Sequence, residues 1–168
     1  MLVVIVVLGT SGVVAWALLR PSPCSGRTFV SDRFGYCVDP PSGWAGTLGS
    51  NGGWPIDSFV ARTSVATVEV AAVKLTTSED LRAFANRIGE LDRTSGLLVG
   101  GQKSLEVGGE PALFFDAGAP APEGLLEVRE VLVVRNGVAW RITLTDAANA
   151  FDHDLASLHS FLSSWRFR

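Results

Sequence analysis

The sequence predicts an α+β domain, a central antiparallel sheet flanked by helices, preceded by one N-terminal hydrophobic helix. Three observations carry that expectation. Residues 2–19 form an uncharged apolar run. Residues 125–134 and 138–145 alternate apolar and polar positions on either side of Asn136-Gly137, a pair preferred in two-residue hairpin turns because both sites need positive φ. Two amphipathic helical segments fall between and after runs of strands, an order that belongs to sheets with helices packed on them.

The chain has 168 residues. About 145 remain once the apolar run is set aside, close to the commonest size of one domain. From Pro21 onward the sequence holds 13 basic and 17 acidic residues. That balance disfavours nucleic acid, which needs a basic patch to displace counterions, and electrostatic docking on anionic lipid. Arg outnumbers Lys 12 to 2 and Ala, Gly and Val abound, a composition that reads as a GC-rich bacterial genome.

Residues 1–20 read as a transmembrane anchor or signal segment. Eighteen uncharged residues rise about 27 Å as a helix, close to a hydrocarbon core of about 30 Å. A core helix of a small domain would keep a polar face, which this run lacks. Ala15-Trp16-Ala17 has the small-x-small form of a cleavage site, yet no basic stretch precedes the run, so anchor and cleaved signal both stand. No lipid-attachment context precedes Cys24. Arg20 pulls its own flank inward, and the cysteines argue the other way. The expected placement is a single-pass cell-membrane protein with its domain extracytoplasmic, or secreted if the segment is cleaved. Residues 21–26 form a Pro/Ser-rich linker.

Cys24 and Cys37 are the two cysteines, both beyond the apolar run. An even count after an export segment reads as a disulfide. Closing a loop of that length would contribute about 3 kcal/mol if the bond is unstrained. A metal or redox pair would want closer thiolates or nearby histidines.

Along 27–168, residues 27–30 and 34–38 read as short strands. Asp39-Pro40-Pro41-Ser42-Gly43 breaks the chain before Trp44, which reads as core. Residues 46–55 read as a Gly-rich loop, and 57–62 and 66–75 as strands. Thr77-Ser78-Glu79-Asp80 has the form of a capping box and starts a helix whose buried face holds Leu81, Phe84, Ala85, Ile88 and Leu91. Residues 97–107 and 110–116 are strands around Gly108-Gly109, and 117–123 a flexible loop. In the Asn136-Gly137 hairpin Val133 faces Trp140 and Val131 faces Ile142. Residues 149–165 form a last helix with Phe151, Leu155, Leu158, Leu162 and Trp165 inward.

No catalytic set converges in the sequence. His153 and His159 lie about 240° apart around one helix, too far to share a metal, and His153 reads as part of a solvated helix start. Glu127, Arg129 and Glu130 read as a charged solvent face. No phosphate loop, nucleophile elbow or zinc motif is present, so no cofactor and no metal site are expected. The candidate contact residues are aromatic. Trp54, in the Gly-rich loop, could stack on a ligand or fold back onto the sheet, and Phe59 could line an apolar pocket beside it.

Phe34-Gly35-Tyr36-Cys37-Val38-Asp39-Pro40-Pro41-Ser42-Gly43-Trp44 resembles the opening motif of the PsbP-like superfamily, where an aromatic strand meets a P-x-G-W turn. The hairpin with Trp140, the helix after it and the aromatic close Ser163-Ser164-Trp165-Arg166-Phe167 are similar too. Gly109-Glu110-Pro111 is compatible. The resemblance covers residues 27–168. It implies a central antiparallel sheet flanked by helices and a non-catalytic binding or assembly module, as in a photosystem II subunit, a nuclear-transport cofactor and exported bacterial lipoproteins. The shared positions look structural, so no functional residue is carried over, and a fold does not fix a function. The expected role is a membrane-tethered extracytoplasmic binding or accessory module of the cell envelope. Its partners would be the membrane through residues 2–19 and an envelope protein or small apolar ligand. A lipid or small-molecule carrier and a hydrolase are the alternatives.

Overall fold

A computed structural model describes residues 22–51, 54–76, 78–121 and 124–168, with the backbone alone at Trp54. The N-terminal hydrophobic helix and anchor expected at 1–20 lie outside the described residues. Among those described, no helix is long and apolar enough to cross a membrane.

The chain is mostly β. An eight-stranded antiparallel sheet runs in the order β3 (Trp44–Asn51), β4 (Trp54–Ala61), β5 (Thr67–Lys74), β10 (Val138–Ala147), β9 (Gly124–Arg135), β8 (Glu110–Ala121), β6 (Leu98–Val99), with β7 (Lys103–Val107) also on β8. A second sheet joins β1 (Phe29–Ser31), β2 (Tyr36–Val38) and β11 (Arg166–Phe167). The helices are α1 (Leu81–Thr94) and α2 (Phe151–Ser164).

The β9–β10 hairpin forms as expected. Asn136 and Gly137 hold φ of 51° and 73°, and Val133 pairs with Trp140 and Val131 with Ile142. Alternation then divides the sheet into two faces. Val131, Val133, Trp140, Ile142 and Leu144 join Val68, Val70 and Phe59 in the larger core, which α2 closes with Leu158, Phe161 and Leu162. Leu132 and Ala139 point to the opposite face, where Phe84, Ala85 and Ile88 of α1 cover them together with Phe115.

Two stretches expected as loops are strands. Residues 46–51 belong to β3, where Gly46 admits a close approach. A Cβ on Gly46 would stand 2.8 Å from the Phe59 ring and 2.9 Å from the Phe29 ring. Glycine inside a strand commonly marks such a contact. Residues 117–121 continue β8, whose ladder with β9 runs out to Ala121 opposite Gly124. The strand expected over 97–107 is instead divided into β6 and β7, with Gly100-Gly101 between them.

The α1 helix starts later than the capping box implied. Its cap is Asp80, whose carboxylate accepts the Ala83 amide at 2.8 Å. That bond satisfies one of the amides a helix start leaves open. Thr77 lies outside the described residues. The inward stripe turns as well: Leu91 is half exposed, and Asp92 is buried in its place. The reason is Arg141, whose guanidinium reaches Asp92 at 2.9 Å. In α2 the inward face gains Phe161 and Asp154, while Leu155 is only partly buried. Trp165, just past α2, is fully buried and stacks on Tyr36 with ring centres 4.0 Å apart.

Candidate functional site

Cys24 and Cys37 form the expected disulfide, with Cα atoms 5.6 Å apart. Cys37 sits in β2, opposite Val30 of β1 on one side and Arg166 of β11 on the other. The residues just after the apolar run are thereby fastened to the middle of the small sheet.

Phe59 does not line a pocket. It is fully buried, 4.7 Å from the Phe29 ring and 4.8 Å from the Phe161 ring, both edge to face. Alternation on β4 sends it to the same face as Val68, under α2, which removes it as a contact residue. The side chain of Trp54 lies outside the described residues, so the expected stacking contact is not placed. Trp44 packs partly buried against the larger core.

The structure instead assembles a cleft of about 490 Å³ where the sheet meets the β1–β2 turn and the C-terminal strand. Five segments of the chain build it. Strand β5 ends in Ala72, Val73 and Lys74; the β9–β10 turn supplies Arg135, Asn136 and Val138; β10 supplies Trp140; residues 32–35 and 167–168 close the side. The Trp140 indole N–H donates to the Phe34 carbonyl at 2.9 Å, which holds the β1–β2 turn against the sheet. The Phe167 ring packs 4.9 Å from that of Trp140. These contacts leave an aromatic floor of Phe34, Trp140 and Phe167.

The rim is cationic. Arg33, Lys74, Arg135 and Arg168 line the cleft against one acid, Asp32. Arg33 donates through Nε to the buried Asp57 at 2.8 Å and through Nη1 to the Gly49 carbonyl at 3.1 Å. The Tyr36 hydroxyl donates to the other Asp57 oxygen at 2.8 Å. Burial, then the Asp57 charge, push the Tyr36 hydroxyl far above the usual phenol range, so it stays a donor. Arg168 pairs with Asp32. Arg135 lies over the Phe167 ring at 5.1 Å and meets Glu110 at 3.2 Å. The Lys74 side chain makes no ion pair or hydrogen bond among the described residues. Sequence reasoning missed this set because residues 33, 74, 135 and 168 are brought together only by the topology. The one local hint was Trp140, already placed near the hairpin turn.

Two further polar groups are buried. Glu130, expected on a solvent face, is fully buried and accepts from Arg141 at 2.6 and 2.8 Å and from Thr143 at 2.9 Å. Alternation turns it under α1 beside Asp92. Burial raises the carboxyls of both Glu130 and Asp92 above their ordinary range, against the pull of Arg141. Near the start of α2, Ser64 Oγ donates to Asp154 at 3.3 Å, and His153 Nδ1 lies 3.3 Å from the same carboxylate. The carboxylate, not the imidazole, is thus the partner of the hydroxyl, which differs from the arrangement of a nucleophile with a histidine base. Asp146 beside it is pushed up by burial first and then by Asp154. Among the described residues no group of three or more His, Cys, Asp or Glu could hold a metal ion.

No family model matches the chain, and no curated protein sequence does. Solved structures do match. Cyanobacterial PsbP from Synechocystis is 13% identical at a TM-score of 0.63, over 83% of this chain and 91% of that one. LpqN of Mycobacterium tuberculosis, a protein involved in cell envelope biogenesis, is 16% identical at a TM-score of 0.65, over 81% of this chain and 86% of that one. A protein from Bacteroides thetaiotaomicron is 13% identical at a TM-score of 0.62, over 85% of this chain and 48% of that one. At such identities the likeness is one of fold. The opening and closing motifs at 34–44 and 163–167 meet in one small sheet against the large one, and the architecture of this chain is the PsbP-like fold.

Proposed function

We propose that the chain is a membrane-tethered, extracytoplasmic binding or accessory module of a bacterial cell envelope, and that the cleft over Trp140 is its binding site. The observation that carries this reading is the Cys24–Cys37 disulfide directly after an apolar run of membrane length. Disulfides persist in oxidising compartments, so the pair argues for a domain outside the cytoplasm. Residues 2–19 supply the tether. The fold shared with LpqN, described as acting in cell envelope biogenesis, supports the same address.

A carrier role would use this cleft and not a pocket around Phe59, which is core. A hydrolase reading has the Ser64, Asp154 and His153 cluster in its favour, without a histidine base on the serine.

The test places a photo-crosslinking residue at Val73, in the cleft, or at Leu91, on the outer side of α1, in the full chain expressed in a bacterial host. Both positions are about half exposed. The reading expects the chain in the membrane fraction after alkaline extraction and a discrete adduct from Val73 alone. Recovery in the soluble cytosolic fraction, or no difference between the two positions, would count against it.

A further inference from the structure

We infer that the cleft takes a phosphate-type anion, presented by an anionic phospholipid of the same membrane that holds the tether. The inference rests on the proposed tether. Net charge argues against it, since the sequence beyond Pro21 carries more acid than base. Local charge points the other way: four cations line the cleft, and against Asp32 together with Asp57 and Glu110, the partners of Arg33 and Arg135, they remain in excess by one, the charge of Lys74.

Three observations support the ligand class. First, the cations differ in commitment. Arg33 is bonded to the buried Asp57, and Arg168 to Asp32, so these two hold the wall in place. The Lys74 side chain is unpaired among the described residues, and Arg135 meets Glu110 at 3.2 Å. A lysine and an arginine with donors to spare can receive phosphate oxygens. Second, the floor is aromatic, with Phe34, Trp140 and Phe167 beneath the charges. Trp140 and Phe167 are each 6% exposed, so the apolar part of a ligand would meet chiefly the partly buried Phe34 ring and the edges of the other two.

Third, the cleft is a short covalent path away from the apolar run. Cys24 is four residues beyond residue 20 and is bonded to Cys37. Gly35, which lines the cleft, is two residues from Cys37 along the chain, and Arg168 is two residues from Arg166, the pairing partner of Cys37. Two strand residues span roughly 7 Å, and four extended linker residues at most about 14 Å. With 5.6 Å between the Cα atoms of the disulfide, the path from the cleft to the end of the apolar run is at most roughly 27 Å, which keeps the cleft within the linker's reach of headgroups.

The test uses the full chain in maltoside micelles, followed by NMR at the Trp140 indole N–H and the Gly137 amide. The probes are inorganic phosphate and a short-chain phosphatidylglycerol, with short-chain phosphatidylcholine as the neutral-headgroup control. Binding of phosphatidylglycerol at both signals, at least tenfold tighter than phosphate or phosphatidylcholine, is expected. Each cation near an anionic surface is worth about fivefold. Lys74→Gln should weaken binding about fivefold, and Lys74→Gln with Arg135→Gln about 30-fold. Lys74 is exposed, so the single variant keeps the test valid if the double variant folds poorly. Equal affinity for phosphate and phosphatidylglycerol would overturn the lipid source. No response of either signal to any probe, or unchanged affinity in Lys74→Gln, would overturn the site. The micelle titration does not require a spanning segment, so its failure is separable from failure of the tether, which alkaline extraction reads.

Discussion

On one face of the eight-stranded sheet, Tyr36, Phe59, Phe161 and Trp165 fill the space under α2 and the small sheet. On the other, α1 lies over a smaller apolar cluster bordered by Asp92, Glu130 and Arg141. The first face is held by apolar area and ring packing, which is non-directional and costs in proportion to what is removed. The second adds buried charges that are tolerable only while all partners remain, because burying an unpaired carboxylate costs more than the pair contributes. Truncation is therefore the way to break the first face, and removal of a single partner the way to break the second.

The largest effect is expected from Trp165→Ala. It deletes a fully buried ring stacked on Tyr36. The change should cost about 3–5 kcal/mol in denaturant unfolding, with little dependence on pH. Arg141→Met leaves Glu130 and Asp92 without their cation. It should cost a similar amount, about 3–5 kcal/mol near neutral pH. The two differ in their response to acid. Both carboxyls already hold protons above their ordinary range in the folded protein, and without Arg141 they do so more strongly. A folded state that binds more protons than the unfolded one loses stability as pH rises, so the Arg141→Met deficit should shrink towards pH about 5 while the Trp165→Ala deficit stays constant. Equal pH dependence in the two variants would remove the distinction between the faces.

Gly46→Ala places a methyl 2.8 Å from the Phe59 ring at the edge of the aromatic face. Denaturant unfolding should show a loss of about 1–3 kcal/mol through overpacking. The smallest effect belongs to Asp146→Asn. Burial and the neighbouring Asp154 hold the Asp146 carboxyl above its ordinary value of 3.8. Its contribution is complete below that value and is lost as pH rises through the raised one. Asparagine does not titrate, so the decline in stability from about pH 4 to 7 should flatten, and an unchanged slope would contradict the assignment.

The aromatic face was legible because alternation and local turn chemistry specify it. Asn136-Gly137 set the register that puts Trp140 and Ile142 on one side, and the motifs around Tyr36 and Trp165 marked where the small sheet closes. The charged face was not. Glu130 sits between Arg129 and Val131 like any solvated strand residue, and only the arrival of α1 with Asp92 makes it buried. Gly46 misled for a related reason: a glycine run reads as loop until a distant ring is known to need its space. The cleft was the least legible, since its cations come from four separate stretches, and Phe59 was drawn into the core by the same alternation that the hairpin obeys.

The central claim, an outward-facing domain fastened to its tether by a disulfide, is tested most directly by thiol labelling of the full chain in intact cells. Cys24 is half-buried, and in the oxidised protein its sulfur is bonded to Cys37. A membrane-impermeant maleimide should leave the chain unmodified until reductant is added, and should then label Cys24 without lysis of the cells. Labelling without reductant, or labelling that requires lysis, would contradict the account.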